Sequence, residues 1–288
     1  MLMLPLALLI SSNLAQVPAP TPAVPSLVAA EYAFADKTEK EGLRSGFMSA
    51  LRPDSFVFIP RAVNGQTYYN TMLEMGELLT WYPAVAEASQ AGDLGYTTGP
   101  YTYRAAKDAP VGAQGWFVCL WQRDGSGPWK VRIDIGIPTP DPGERPMPAP
   151  LPRAAATLGP VAAAPGNAAE LMEMDRAFSK EAAKSPTAAA TAYQTRLDAN
   201  VRFYRKGRFP QLGPKTLTAA LDADAVSWEP SEGWVAASGD LGCTRGTLQH
   251  KDKDGKPTST CNYVRMWKKQ GAAWKLALDL ELALPAAK

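Results

Sequence analysis

Trp129-Lys-Val-Arg-Ile-Asp-Ile-Gly136 and Trp274-Lys-Leu-Ala-Leu-Asp-Leu-Glu281 are one strand written twice, 145 residues apart. In each, aliphatic residues alternate with polar or small ones at a period of two, the pattern of a half-buried strand. Val131, Ile133, Ile135 and Ile137 fall on one face and Arg132 and Asp134 on the other. The second version sets Leu276, Leu278, Leu280 and Leu282 against Ala277, Asp279 and Glu281. Moving back along the chain, the offset recurs. Trp121 matches Trp267 at 146, and Gly92-Asp-Leu-Gly95 matches Gly239-Asp-Leu-Gly242 at 147. Trp81-Tyr-Pro83 matches Trp228-Glu-Pro230 at 147, and Phe56-Val-Phe58 matches Val201-Arg-Phe203 at 145. Leu27, Ala30 and Phe34 match Leu171, Met174 and Phe178 at 144. An ordered series whose offset drifts this little is a tandem duplication. Two copies are too few for a solenoid, so each is expected to be a domain with its own core.

Each copy begins with a helix, for which Ser26 and Asn167 are the expected N-caps, the latter with Glu170 three residues on. A short strand follows (Ser55–Pro60, Asn200–Arg205), then a helical stretch (Thr71–Leu79, Lys215–Asp222). A hairpin, Gly92–Arg104 with Gly115–Arg123 in the first copy, leads into the terminal strand. This order predicts the α+β class with helices segregated to one sheet face. Pro-rich segments divide the chain. Residues 138–165 read as a semi-rigid linker and residues 16–25 as an extended tether. The expected layout is a signal peptide over 1–15, the tether, a first domain over 26–137, the linker, and a second domain over 166–284. The signal peptide rests on the apolar run Met1–Ile10 followed by small residues near Ala15, and it places the mature protein in the periplasm or outside the cell.

Several stretches resemble the nuclear-transport-factor-2-like superfamily and, within it, the SnoaL-like bacterial domains. They are Glu31-Tyr-Ala-Phe34, Phe56-Val-Phe58-Ile-Pro60, Asn64-Gly65, Trp81-Tyr-Pro83, Gly92-Asp-Leu-Gly-Tyr-Thr-Thr-Gly99 and Trp129–Gly136. The second copy keeps the frame without the Phe-x-Pro and Tyr-Thr-Thr-Gly details. The resemblance implies two cone-shaped domains, each a curved, mostly antiparallel sheet wrapped by helices around an apolar pocket. Such cones host isomerases, cyclases, dehydratases, epoxide hydrolases and non-catalytic binders, so the fold leaves function open. It also implies that cones pair through their sheet faces, which a fused duplication would satisfy within one chain.

The ligand-pocket candidates are Phe34, Phe58, Trp81, Tyr96, Tyr101, Trp116 and Trp121, because aromatic walls suit a small apolar or mixed ligand. Asp134 is the carboxylate repeated on the last strand. In a dry pocket its pKa would rise toward general acid or base duty, with Arg132 as a neighbour. If the aliphatic face packs on the helices, however, Asp134 lies outside the cone. The leading expectation is therefore an exported small-ligand-binding or scaffold protein. An isomerase, dehydratase or cyclase using pocket carboxylates is the competing class.

Cys243 and Cys261 lie nearly equidistant from the hairpin tip at Lys251–Gly255, which predicts a disulfide between them in an oxidising compartment, with Cys119 a free, buried thiol. A net charge of +2 lacks the basic excess of a nucleic-acid binder. No apolar run is long enough for a membrane span. The single histidine, His250, reads as a solvated hairpin residue, and neither a phosphate loop nor an EF-hand pattern occurs. No metal and no cofactor are expected.

Overall fold

The computed structural model describes residues 23–153, 167–221, 225–252 and 254–285. The expected signal peptide and most of the tether lie outside them, as do linker residues 154–165. The first half comprises α1 (Ala23–Glu41), α2 (Leu43–Ala50), β1 (Leu51–Ile59), β2 (Arg61–Asn64) and α3 (Gly65–Thr71). It continues with β3 (Leu78–Trp81), β4 (Val85–Ala88), β5 (Leu94–Arg104), β6 (Val111–Gln122) and β7 (Lys130–Pro138). The second half comprises α4 (Ala168–Ala182), α5 (Pro186–Gln194), β8 (Leu197–Arg205), β9 (Gln211–Leu212), α6 (Leu217–Ala220), β10 (Ala225–Val235), β11 (Leu241–Lys251), β12 (Pro257–Gln270) and β13 (Ala273–Ala283). The fold is α+β.

Each half builds one mixed sheet, ordered β2-β1-β7-β6-β5-β3 with β4 also on β5, and β10-β11-β12-β13-β8-β9. β1 runs parallel to β7, and β8 to β13. β10, bulged between Pro230 and Glu232, takes the place of β3 and β4. α1 begins at Ala23, so Pro25 sits in the first turn, where its missing N–H costs nothing. Ser26 is therefore inside the helix, bonding the Ala23 carbonyl and receiving the Trp129 indole, instead of capping it. The helix expected at Thr71–Leu79 forms earlier, because Asn64 accepts from the Thr67 N–H and starts α3 at Gly65.

Each sheet has two differently used faces. The face under the helices carries the half's own core: in the first half Leu27, Phe34, Phe47, Val57, Phe117, Cys119, Trp121 and Val131. The opposite faces of the two sheets meet in a single buried layer. Tyr96, Trp116, Val118, Leu120, Ile133, Ile135 and Ile137 from one pack with Tyr204, Cys243, Val264, Met266, Leu278 and Leu280 from the other. The aliphatic face of the terminal strand thus packs on the other sheet and not on helices, which turns Asp134 into the cone. The seam is reciprocal: the Gln90 N–H bonds Asp240 at 3.0 Å, and the Ala237 N–H bonds Asp93 at 2.8 Å. The two Gly-Asp-Leu-Gly turns therefore pin the halves to each other.

Linker residues 139–153 contain no helix or strand and are strapped to the first half. The Leu151 N–H bonds Pro83, the Tyr32 hydroxyl bonds Leu151, and Arg153 grips Asp36 through both terminal nitrogens.

The expected disulfide does not exist: all three cysteines are free and buried. Cys243 stands opposite Met266, and Cys261 opposite Leu248. Cys261 and Met266 are five apart on β12, so the two thiols occupy opposite sheet faces. One joins the layer between the sheets and the other the second half's own core.

Candidate functional site

α1 carries Leu27, Glu31, Phe34 and Thr38 at helical spacing on its buried face. The carboxylate in that stripe is fully buried. Glu31 accepts from the Trp81 indole at 2.6 Å, the Trp121 indole at 2.9 Å and the Thr97 hydroxyl. Burial outweighs these bonds and pushes its pKa up to about 7. On β7, Asp134 lies across the ladder from Cys119, whose thiol donates to it at 3.0 Å. Burial pushes the Asp134 carboxyl up to about 6, and the thiol bond only partly offsets that. Burial, reinforced by the Asp134 charge, raises the Cys119 thiol and the Tyr69 and Tyr101 phenols, the last to about 12. Among the described residues no cation pairs with either carboxylate.

Asp134 forms part of the wall of a cavity of about 130 Å³ enclosed by Phe47, Tyr69, Leu79, Trp81, Tyr101, Phe117 and Gly136. Leu79, Trp81 and Tyr101 are half-buried, at its rim. Gly136 and Gly115 make room for the Tyr101 ring. A Cβ on Gly115 would stand 2.8 Å from it and one on Gly136 3.2 Å. Larger grooves elsewhere in the first half, over α1 and beside residues 139–147, hold no buried acid.

Of the pocket candidates, Trp81 and Tyr101 line this cavity, with Phe34 and Trp121 behind. Phe34 meets Trp81 edge-on at 4.8 Å. Tyr96, Trp116 and Phe58 belong to the layer between the sheets, not to the pocket. Tyr96 is an odd number of residues from Tyr101, and Trp116 from Phe117, so strand alternation turns them away. Phe58 is misplaced by a one-residue slip in matching the copies. Val57 stands opposite Asp134 as Phe203 does opposite Asp279, so Phe58 corresponds to Tyr204. Arg132 does not accompany Asp134. A β-bulge at Trp121 lets it bond Gln122 and Asp54 and lie over Trp234 of the other half. Glu31 is not among the candidates above, yet an acid within an apolar helical stripe, repeated as Asp175 at an offset of 144, is its signal in the sequence.

The same positions in the second half are filled by charge. Arg265, fully buried, replaces Cys119 and bonds Asp175 and Asp279, each at 3.0 Å, and the Tyr193 hydroxyl at 2.6 Å. Asp279 also binds Arg205, which reaches Glu281 at 2.8 Å, and Glu281 meets His250 at 3.0 Å. Burial opposes ionisation of Asp279, but Arg265 and Arg205 overcome it and lower its pKa. His250 is buried rather than solvated. Burial works against its charge, yet bonds to Cys261 and Glu281 raise its pKa to about 10. His250, Cys261 and Glu281 bring metal-ligand atoms within 4.8 Å of one another, but Glu281 is already engaged by Arg205 and His250, whose charges oppose a cation there.

No protein-family model and no curated protein matches the chain. Among solved structures it is similar to a protein of unknown function with a cystatin-like fold from Nostoc punctiforme, at 15% identity and a TM-score of 0.33, over 41% of this chain and 92% of that one. An NTF2-like protein of unknown function from Pseudomonas putida is similar at 13% identity and a TM-score of 0.34, over 43% of this chain and 99% of that one. An NTF2-like protein with a cystatin-like fold from Novosphingobium aromaticivorans is similar at 15% identity and a TM-score of 0.33, over 41% of this chain and 82% of that one. The likeness is to nuclear-transport-factor-2-like folds. It is one of fold alone.

Proposed function

We propose that the protein is an exported small-ligand-binding protein whose site is the cavity of the first half, and that the second half is its filled partner. The observation that carries this reading is the contrast between the cones. Cys119, Phe117 and Gly136 in the first correspond to Arg265, Tyr263 and Glu281 in the second, so one interior keeps a cavity and the other is plugged by ion pairs. A volume of about 130 Å³ suits a small ligand. Native mass spectrometry of the mature protein should reveal a bound molecule that Trp81→Ala weakens more than Trp228→Ala does; equal losses would overturn the assignment to the first half.

A second reading, an isomerase, dehydratase or cyclase, is favoured by the place of Asp134 in the cavity wall, where burial pushes its carboxyl up to about 6, toward general acid–base duty at neutral pH. On that reading Asp134→Asn abolishes turnover of a bound ligand while leaving its binding intact.

A further inference from the structure

We infer that the cavity of the first half takes a small guanidinium compound, seated as the second half seats the side chain of its own Arg265. This rests on the reading of that cavity as a ligand site and names the ligand's chemistry.

The second half supplies the template. The Arg265 guanidinium carbon lies 3.9 Å from the Trp228 ring centre, 4.7 Å from Tyr263, 5.3 Å from Phe178 and 5.6 Å from Tyr193. Asp175 and Asp279 neutralise it. Aromatic faces with a carboxylate are a general recognition device for a delocalised cation. The first half keeps aromatic rings at all four positions and lacks the cation, with Trp81 and Phe117 closed to 6.4 Å. Its counterparts are Trp81, Phe117, Phe34 and Phe47, with Glu31 and Asp134 as the acids and Cys119 where Arg265 stands.

Three of the ring distances agree within tenths of an ångström. Phe34–Trp81 is 4.8 Å against 4.6 Å for Phe178–Trp228, and Phe34–Phe47 is 4.7 Å, as is Phe178–Tyr193. Phe47–Trp81 is 6.3 Å against 6.1 Å for Tyr193–Trp228. Trp81 and Trp228 each donate their indole N–H to the acid of the first helix, at 2.6 and 2.8 Å. Replacing Arg265 by the shorter Cys119 leaves this cage beside the cavity, open at the Leu79–Trp81–Tyr101 rim. Asp134 is partly accessible within it. A planar cation entering there lies on the Trp81 ring, with Phe117 at 66° to that ring, and meets Asp134 with its N–H groups.

The test is isothermal titration of the full chain with methylguanidinium chloride, N-methylurea and toluene, at matched chloride concentration. Methylurea copies the shape without the charge, and toluene probes a purely apolar cavity. Methylguanidinium is expected to bind at least tenfold tighter than either. Asp134→Asn should cost at least tenfold, and Cys119→Arg, which supplies the cation from within, should abolish binding. Asp134→Asn carries the test if Cys119→Arg fails to fold. Methylurea or toluene binding as tightly as methylguanidinium, or an Asp134→Asn variant binding unchanged, overturns the cation assignment and leaves the cavity a ligand site. Failure of all three probes to bind overturns both readings.

Discussion

Replacing Arg265 by Met removes the cation that the second half has built into its core while roughly keeping its volume. Asp175 retains bonds from the Trp228 indole and the Tyr263 hydroxyl, but Asp279 is left with Arg205 alone. Breaking a buried ion pair from one side typically costs about 3–5 kcal/mol, because the remaining charge is uncompensated. The first half gives the limit for a carboxylate with no cation at all. Asp134, which stands where Asp279 does but has no cation, is pushed from 3.8 up to about 6. At 1.36 kcal/mol per unit, that is about 3 kcal/mol of penalty on the ionised form. The sign follows from linkage. In the wild type the lowered Asp279 pKa contributes stability above the unfolded value, lost only as the pH falls through the lowered one. In the variant Asp279 keeps Arg205, so its ionised form loses one of two cations and the stability its lowered pKa contributes shrinks. Urea unfolding followed by tryptophan fluorescence should therefore show a loss of about 3 kcal/mol or more near pH 7.5. Urea is preferable to guanidinium chloride, whose cation is the proposed ligand. A loss below about 1 kcal/mol would refute the account of the network as a charge plug.

The buried Glu31, raised from 4.5 to about 7, should make the wild type less stable as the pH rises across that interval, by up to about 3 kcal/mol, and Glu31→Gln should flatten this part of the profile in calorimetry. His250, raised from 6.5 to about 10, contributes stability that is complete below about 6.5 and lost as the pH rises through about 10; His250→Gln should remove that alkaline limb of the melting curve. Peptide mapping without reductant should find three free thiols, with Cys119 alkylated only after unfolding; a Cys243–Cys261 cross-link would contradict the strand register. Gly136→Glu, the second half's residue, should push on Tyr101, cost about 1–3 kcal/mol by overpacking and remove ligand binding; unchanged binding would place the site elsewhere.

The duplication, the α+β order and the alternation of the last strand are all legible in the sequence, because each is a local period or a repeated offset. The destination of each face is not local. Ile133, Ile135 and Ile137 pack on a second sheet, a fact about tertiary assembly, and that alone decides that Asp134 points inward. Parity then sorts the aromatics: Tyr101 and Tyr96 are both strand residues, but only one faces the cavity. The bulge at Trp121 breaks the simple count and sends Arg132 elsewhere. The disulfide expectation fails for the same reason. Distance from a hairpin tip does not fix face when the turn offsets the ladder. Glu31 and Asp175 were readable as acids in apolar stripes, but nothing in one sequence says that Cys119 and Arg265 occupy one position until the strand registers align them.

The reciprocal bonds at Asp93 and Asp240 have a consequence for how the copies have drifted apart. A self-complementary joint between identical subunits ties every mutation to both sides at once, so an ancestral homodimer could neither fill one interior nor empty the other. Fusion into one chain releases that tie. It also holds the partners at an effective concentration that dilution cannot lower. The seam can stay symmetric while the interiors differ, one holding an internal cation and the other a cavity. A fused pair thus carries two unlike interiors on one self-complementary joint.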